Sequence, residues 1–314
     1  MITRLLAPSL LALSLLACVP AFAAEAAPPA NRFAATLVPV ERFEVGATLV
    51  EKHGQRGTPL ILIPGLASGA WVWQETARQM MKDHVVYLLT MPGFDGRPGV
   101  PGKGMAAAQE SVRELIQTRK LRKPVLVGHS LGGMMALSLA AQHPDLVGGA
   151  VSIDGVPVFP GTEEWPLEQR EKMGSSIAAR MQAATPAAFA AQQQQYMRGM
   201  GVTDMARADE LAKLAGRSDP VAVTKYMVDA LALDLRASLP SIKAPVLVIA
   251  PYFDVDAAQQ QMTQEAKTAY YRALMKGTPN LKVVSVAPAR HFAMFDQPQM
   301  VIDAIRDFVK SLPK

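Results

Sequence analysis

Short, wholly apolar runs alternate along this chain with longer segments whose apolar positions recur at helical spacing. The runs at 60–63, 85–89, 125–127 and 245–250 lack charged or strongly polar interruptions, as strands buried on both faces do, and 149–153 and 281–286 read as further strands. Helical periodicity fills 71–82, 105–119 and 131–142, and a strand–helix alternation of this kind predicts a mostly parallel sheet with helices on both faces, an α/β fold. Residues 43–53 alternate more loosely and close at Gly54, predicting, with the segment before them, antiparallel edge strands.

After Gly155 the rhythm changes. From 156 to 240 no strand-like run occurs, and 163–182, 186–200, 204–215 and 219–233 all have helical character. Met173, Met181, Met197, Met200, Met205 and Met227 lie here; methionine fills irregular apolar space, and most of these are expected to pack helix on helix. The pattern predicts a helical cap inserted after the sixth strand. The sheet then resumes, with a long helix expected over 257–276 and a closing helix over 298–312. The expected domains are thus a first core part at 36–155, the cap at 156–240 and a second core part at 241–314.

The N-terminus reads differently. Arg4, an apolar stretch too short to cross a bilayer comfortably, Pro20 and the small-residue site Ala21-Phe22-Ala23 make 1–23 an expected secretory signal peptide, with an Ala- and Pro-rich flexible linker at 24–35. Leu15-Leu16-Ala17-Cys18 offers the alternative of a lipid anchor through Cys18. Cys18 is the sole cysteine, so cleavage after Ala23 leaves a chain that needs no disulfide and has no thiolate chemistry. A net charge of +5 on 314 residues, scattered rather than striped, gives no nucleic-acid footprint.

The chemistry centres on Gly128-x-Ser130-x-Gly132, set between the 125–127 run and the small-residue helix from Leu131. In a G-x-S-x-G turn the serine is held in strained backbone at the carboxyl end of a strand, above a helix N-terminus whose free N–H groups suit a developing oxyanion. A serine hydroxyl needs a base, and the base a third group to orient it. Of the five histidines, His129 diverges from its neighbour Ser130, and His143 lies at the far end of the helix. His53 and His84 fall at the amino edge of the sheet; His291, just after the last strand, is the candidate base. Three aspartates follow strands and can supply the acid: Asp254 is preferred, with Asp256 and Asp154 as alternatives. Candidate oxyanion donors are the backbone N–H groups of Leu131, after the nucleophile, and Leu66, in the loop after Ile63. No histidine pair has metal-ligand spacing, and neither metal nor cofactor is expected.

Together these residues resemble the α/β-hydrolase superfamily, in the branch of small esterases and proline iminopeptidase-like enzymes, over about residues 40–312. The matching segments are Ile63-Pro64-Gly65-Leu66 through Trp71-Val72-Trp73, Met91-Pro92-Gly93-Phe94, Gly128-His129-Ser130-Leu131-Gly132-Gly133, the 245–249 strand through Asp254, and His291-Phe292 with Asp296-Gln297-Pro298. The resemblance implies Ser130 as nucleophile, Asp254 as acid, His291 as base, and Leu66 and Leu131 as oxyanion donors. Pro64 stands where that branch usually has His. Pro251 stands where it usually has Gly, which keeps Asp256 open as the acid. Serine at the elbow separates the chain from the dehalogenases and epoxide hydrolases that resemble this branch but attack with a carboxylate.

The expected activity is that of an exported serine hydrolase, periplasmic or secreted, acting on small or medium carboxylic esters through an acyl-enzyme. A hydrolase of amides, peptides or lactones uses the same triad. A cap-gated binding protein on a hydrolase scaffold is the alternative of another class. The partner expected is a small-molecule substrate, with no nucleic acid and no membrane span once the leader is removed; oligomeric state is left open.

Overall fold

The computed structural model describes residues 31–182, 185–259 and 261–313. The expected leader and most of the expected linker lie outside the described residues. The linker's last residues are tied down. Asn31 Nδ2 donates to Glu210 O at 2.7 Å, and the Phe33 ring meets the edge of Phe295 at 5.4 Å.

Eight strands form one sheet: β1 (Glu41–Val45), β2 (Thr48–His53), β3 (Pro59–Ile63), β4 (Val85–Thr90), β5 (Val125–His129), β6 (Gly149–Ile153), β7 (Val246–Pro251) and β8 (Leu281–Val286), in spatial order β1-β2-β4-β3-β5-β6-β7-β8. β1 and β2 form a hairpin, and β2 runs antiparallel to β4; every other pairing is parallel. The central strands β5, β6 and β7 are buried along their whole length, which is why their sequences carry no alternation.

The crossover helices α1 (Gln74–Met80), α2 (Met105–Thr118) and α3 (Leu131–Gln142) return the chain between parallel strands. A 3₁₀ turn, Ala70–Trp73, precedes α1, so the helix expected over 71–82 starts as a tighter coil. α3 is buried on nearly every side, its small residues letting it pack closely under the sheet centre.

Between β6 and β7 the chain holds α4 (Leu167–Gln182), α5 (Pro186–Tyr196), a π-helical turn (Met197–Gly201), α6 (Met205–Ala215) and α7 (Pro220–Ala232). Capping residues set their starts. The side chains of Thr185, Asp204 and Asp219 accept the first free N–H groups of α5, α6 and α7. Of the insert's methionines, Met197 is buried, whereas Met200 and Met205 are exposed.

After β7 the helix expected over 257–276 is two: α8 (Asp254–Gln259) and α9 (Gln264–Leu274). Thr263 explains the break, its hydroxyl accepting from Ala266 N–H at 3.1 Å to start α9 afresh. A short α10 (Ala293–Asp296) and α11 (Pro298–Ser311) close the chain. α11 buries one apolar stripe, Val301, Ile302, Ile305, Phe308 and Val309.

Candidate active site

Ser130 sits between β5 and α3 with φ +52° and ψ −118°, a backbone conformation that costs a non-glycine residue about 1–3 kcal/mol. The local packing demands it. A Cβ at Gly128 would come within 2.0 Å of Gly132 O, and one at Gly132 within 2.2 Å of Ile63 O. Only glycines allow β5 to turn this sharply into α3 against the end of β3. Ser130 N–H donates to Ile153 O at 2.8 Å, which locks the elbow to the end of β6.

β6 ends in Asp154, itself at φ +50°, with its N–H donating to Ile249 O at 3.0 Å. Its carboxylate reaches the loop after β8: His291 Nδ1 lies 2.5 Å from Asp154 Oδ2. The second oxygen, Oδ1, accepts the Tyr271 hydroxyl from α9. Each side chain of the His291–Asp154 pair is 16% exposed. Burial pushes the Asp154 carboxyl up, but the neighbouring His291, the bonds from His291 and Tyr271, and the Lys267 charge outweigh it and hold the group below the usual carboxylate range.

The preference for Asp254 is therefore corrected: the carboxylate beside His291 is Asp154. β7 continues through Pro251, still paired with Val286, and Tyr252 N–H extends that pairing to Val286 O. The chain then starts α8 at Asp254, which is exposed and accepts from Val255 N–H at 2.9 Å. Asp256 is also occupied elsewhere, in a bidentate pair with Arg290 at 2.6 and 2.8 Å. A proline in place of glycine at 251 signalled a different turn there.

The remaining histidines fall away from the elbow or behind it. His53 ends the antiparallel β2 and His84 precedes β4, both at the amino edge, and His143 caps the far end of α3. His129 is fully buried behind the elbow. Its ring lies 4.6 Å from that of His291 and 4.5 Å from Phe292, and its Nε2–H donates to His291 O at 3.0 Å. Burial drives its pKa down to about 3, so the ring is neutral. His129 thus packs and hydrogen-bonds behind the elbow, as its divergence from Ser130 implies, and it is the histidine loop that it supports.

Leu66 lies in the loop after β3, and Leu131 is the first residue of α3. Among the described residues neither N–H donates to a protein acceptor. The Leu66 turn is closed by Ser68 N–H to Gly65 O at 3.2 Å, and Ser218 Oγ donates to Ala67 O at 3.2 Å. Among the described residues Ser130 Oγ also has no hydrogen-bond partner, and no cluster of ligating side chains could hold a metal ion.

The insert meets this edge of the sheet. His291 N–H donates to Met200 O at 3.2 Å and Phe292 N–H to Gly201 O at 2.9 Å, so the π-helical turn holds the histidine loop. The Tyr196 ring stands edge-on to His291 at 6.0 Å. Asp296, almost wholly buried, accepts from Thr203 N–H, Thr203 Oγ1 and Arg290 N–H at 3.0–3.1 and 2.9 Å.

Eight strands in this order, with a strained serine between β5 and α3 and a paired histidine after β8, define an α/β-hydrolase. A family model described as the alpha/beta hydrolase family matches residues 60–304, and the chain belongs to that family of hydrolases. Among its relatives is the biotin biosynthesis bifunctional protein BioHC of Cellvibrio japonicus, 25% identical over 81% of this chain and 48% of that protein. Another is the pimeloyl-[acyl-carrier protein] methyl ester esterase of Vibrio cholerae, 32% identical over 35% of this chain and 42% of that one. The chain thus matches less than half the length of either relative. Similar folds occur in a thermophilic esterase from Thermogutta terrifontis, with TM-score 0.69 and 20% identity over 86% of this chain and 98% of that one. The enol-lactonase of Burkholderia xenovorans LB400 also aligns with TM-score 0.69, at 19% identity over 86% and 100%. Among the described residues no helix is long and apolar enough to cross a membrane.

Proposed function

We propose that this chain is an exported serine esterase that cleaves small or medium carboxylic esters with Ser130 as nucleophile, His291 as base and Asp154 as acid. The observation that carries the reading is the His291–Asp154 pair at 2.5 Å, held at the same sheet edge as the strained Ser130. The esterase name of the Vibrio cholerae relative supports a carboxylic ester as substrate.

In this mechanism His291 Nδ1–H donates to Asp154, which leaves Nε2 unprotonated and able to take the Ser130 hydroxyl proton. Ser130 Oγ bonds to the acyl carbon, and the carbonyl electron pair moves onto oxygen. Leu66 N–H and Leu131 N–H, which have no competing protein acceptor among the described residues, receive that oxyanion. His291 then passes its proton to the leaving alkoxide, and the C–O bond breaks. Water, deprotonated by the same nitrogen, attacks the acyl-enzyme and releases the acid, returning the proton to Ser130. The helices over 156–240 act as the cap, with the Tyr196 ring edge-on to the base and the Met200 carbonyl accepting its backbone N–H.

Labelling the mature exported protein with a fluorophosphonate, followed by mass spectrometry, tests the reading. One adduct on Ser130 is expected, with an intact mass that places the N-terminus after Ala23. Ser130→Ala should lose the adduct and about 10⁴-fold or more in turnover. A panel of esters, aminoacyl anilides and lactones then orders the substrates, with esters expected first. A folded protein that takes no adduct overturns the esterase reading in favour of a binding protein.

A further inference from the structure

An aspartate that orients a catalytic histidine has two oxygens to satisfy. When only one is held, the carboxylate is free to turn about its Cβ–Cγ bond, and the ring turns with it. In this chain His291 takes Asp154 Oδ2. Among the described residues no backbone N–H reaches the carboxylate, and the one further donor is the Tyr271 hydroxyl, on Oδ1. We infer that Tyr271 is a positioning residue that fixes the plane of the Asp154 carboxylate and, through it, the His291 ring. The inference rests on the proposed roles of Ser130, Asp154 and His291.

Several features suit Tyr271 to this task. Its side chain is buried, 5% exposed, so the hydroxyl has little access to water and depends on a protein acceptor. Its donor is neutral, so it binds the carboxylate without displacing His291 as the positive partner. Burial and the Asp154 charge push the phenol far above its ordinary range, which keeps it a donor at every working pH. The adjacent Tyr270, whose ring is perpendicular at 5.9 Å, points elsewhere and donates to Glu163. Thr263, by restarting the helix as α9, sets the phase that brings Tyr271 to the end of β6.

The charged and titratable groups around the pair come from four elements: Tyr271 and Lys267 from α9, His129 from β5, Tyr196 from α5, and His291 itself from the loop after β8. Removing only the phenol oxygen returns negative charge to Asp154, which then holds the His291 proton more tightly. It also frees the carboxylate to turn. Tyr271→Phe should therefore lower kcat about 5- to 20-fold with KM within about 2-fold, and move the acid limb of the kcat profile to higher pH. Tyr270→Phe, one residue away on the same helix but bonded to Glu163, should leave both kcat and the limb unchanged.

A second readout does not depend on turnover. The low-field proton resonance of His291 Nδ1–H, observed by NMR in the resting protein, should shift between wild type and Tyr271→Phe and stay in place in Tyr270→Phe. An unmoved resonance, or an equal fall in kcat for both variants with a fixed limb, overturns the inference and leaves Tyr271 as packing. Failure of Ser130 to take a fluorophosphonate in wild type is a different result, one that removes the esterase reading.

Discussion

His291 Nδ1 meets Asp154 Oδ2 at 2.5 Å across 137 residues of sequence, so the carboxylate paired with this histidine stands at the end of β6 and not of β7. The two strands are neighbours, and their carboxyl ends lie side by side. An acid on either can approach a histidine arriving from β8. Which one does so is decided by the next few residues: Asp154 turns inward at φ +50°, whereas Asp254 opens an exposed helix.

Replacing each acid alone separates them. Asp154→Asn keeps the shape but removes the charge that holds the His291 tautomer, and kcat should fall about 10³–10⁴-fold. Asp254→Asn, at an exposed helix start, should stay within about 2-fold of wild type, with stability changed by about 0.5 kcal/mol at most. Ester hydrolysis assays and urea unfolding of both variants check this; equal losses would return Asp254 to the site.

The elbow stores strain that two small substitutions can measure. Alanine at 130 keeps the Cβ at φ +52°; glycine does not. Glycine normally costs about 0.5–1 kcal/mol relative to alanine in regular structure. Here the order should reverse, with Ser130→Gly more stable than Ser130→Ala by about 1 kcal/mol in urea unfolding. Both should be inactive, since neither has a nucleophile.

The sheet, the elbow and the histidine were legible because each is a local signal: apolar runs, a glycine pair around a serine, a histidine just after a strand. The acid was not. Asp154, Asp254 and Asp256 all follow strands, and only backbone direction beyond those strands tells them apart. The single local hint was Pro251, whose pairing with Val286 carries β7 on past the point where a glycine would turn it. The split into α8 and α9 had a signal in Thr263, a residue suited to capping that interrupts the helical pattern. Tyr271 had none, because nothing in the α9 sequence ties it to the end of β6.

Asp95 supplies a pH test of burial away from the Ser130–His291–Asp154 site. It lies in the loop after β4, wedged beside Gly69, with Oδ1 unbonded and Arg217 at 3.4 Å. Burial raises its pKa from 3.8 to about 6, more than the Arg217 charge lowers it. Between those values the folded chain holds a proton that the unfolded chain has released, so this group costs stability as pH rises through the window. The full cost above pH 6 is about 3 kcal/mol. Asp95→Asn removes the titration. Its stability relative to wild type should rise by about 2–3 kcal/mol between pH 4 and pH 7.5, read from urea unfolding at both. A difference that does not change with pH would mean that the carboxyl is hydrated.

His129 should show the opposite slope. Its pKa falls from 6.5 to about 3 on burial, so between those values it is the unfolded chain that holds the extra proton. Stability from this group is complete above pH 6.5 and is lost as pH falls towards 3. At pH 5 the loss is about 2 kcal/mol. Glutamine has no such titration, and its amide can still donate to His291 O. Its smaller, non-aromatic side chain gives up the ring contacts with His291 and Phe292, so His129→Gln should be less stable than wild type at pH 7.5. That deficit should shrink by about 2 kcal/mol at pH 5, where wild type bears the proton cost and the variant does not. Urea unfolding of both proteins at the two pH values measures the change. A constant deficit would show that the His129 ring titrates normally in the fold, and with it that the elbow is open to water from behind.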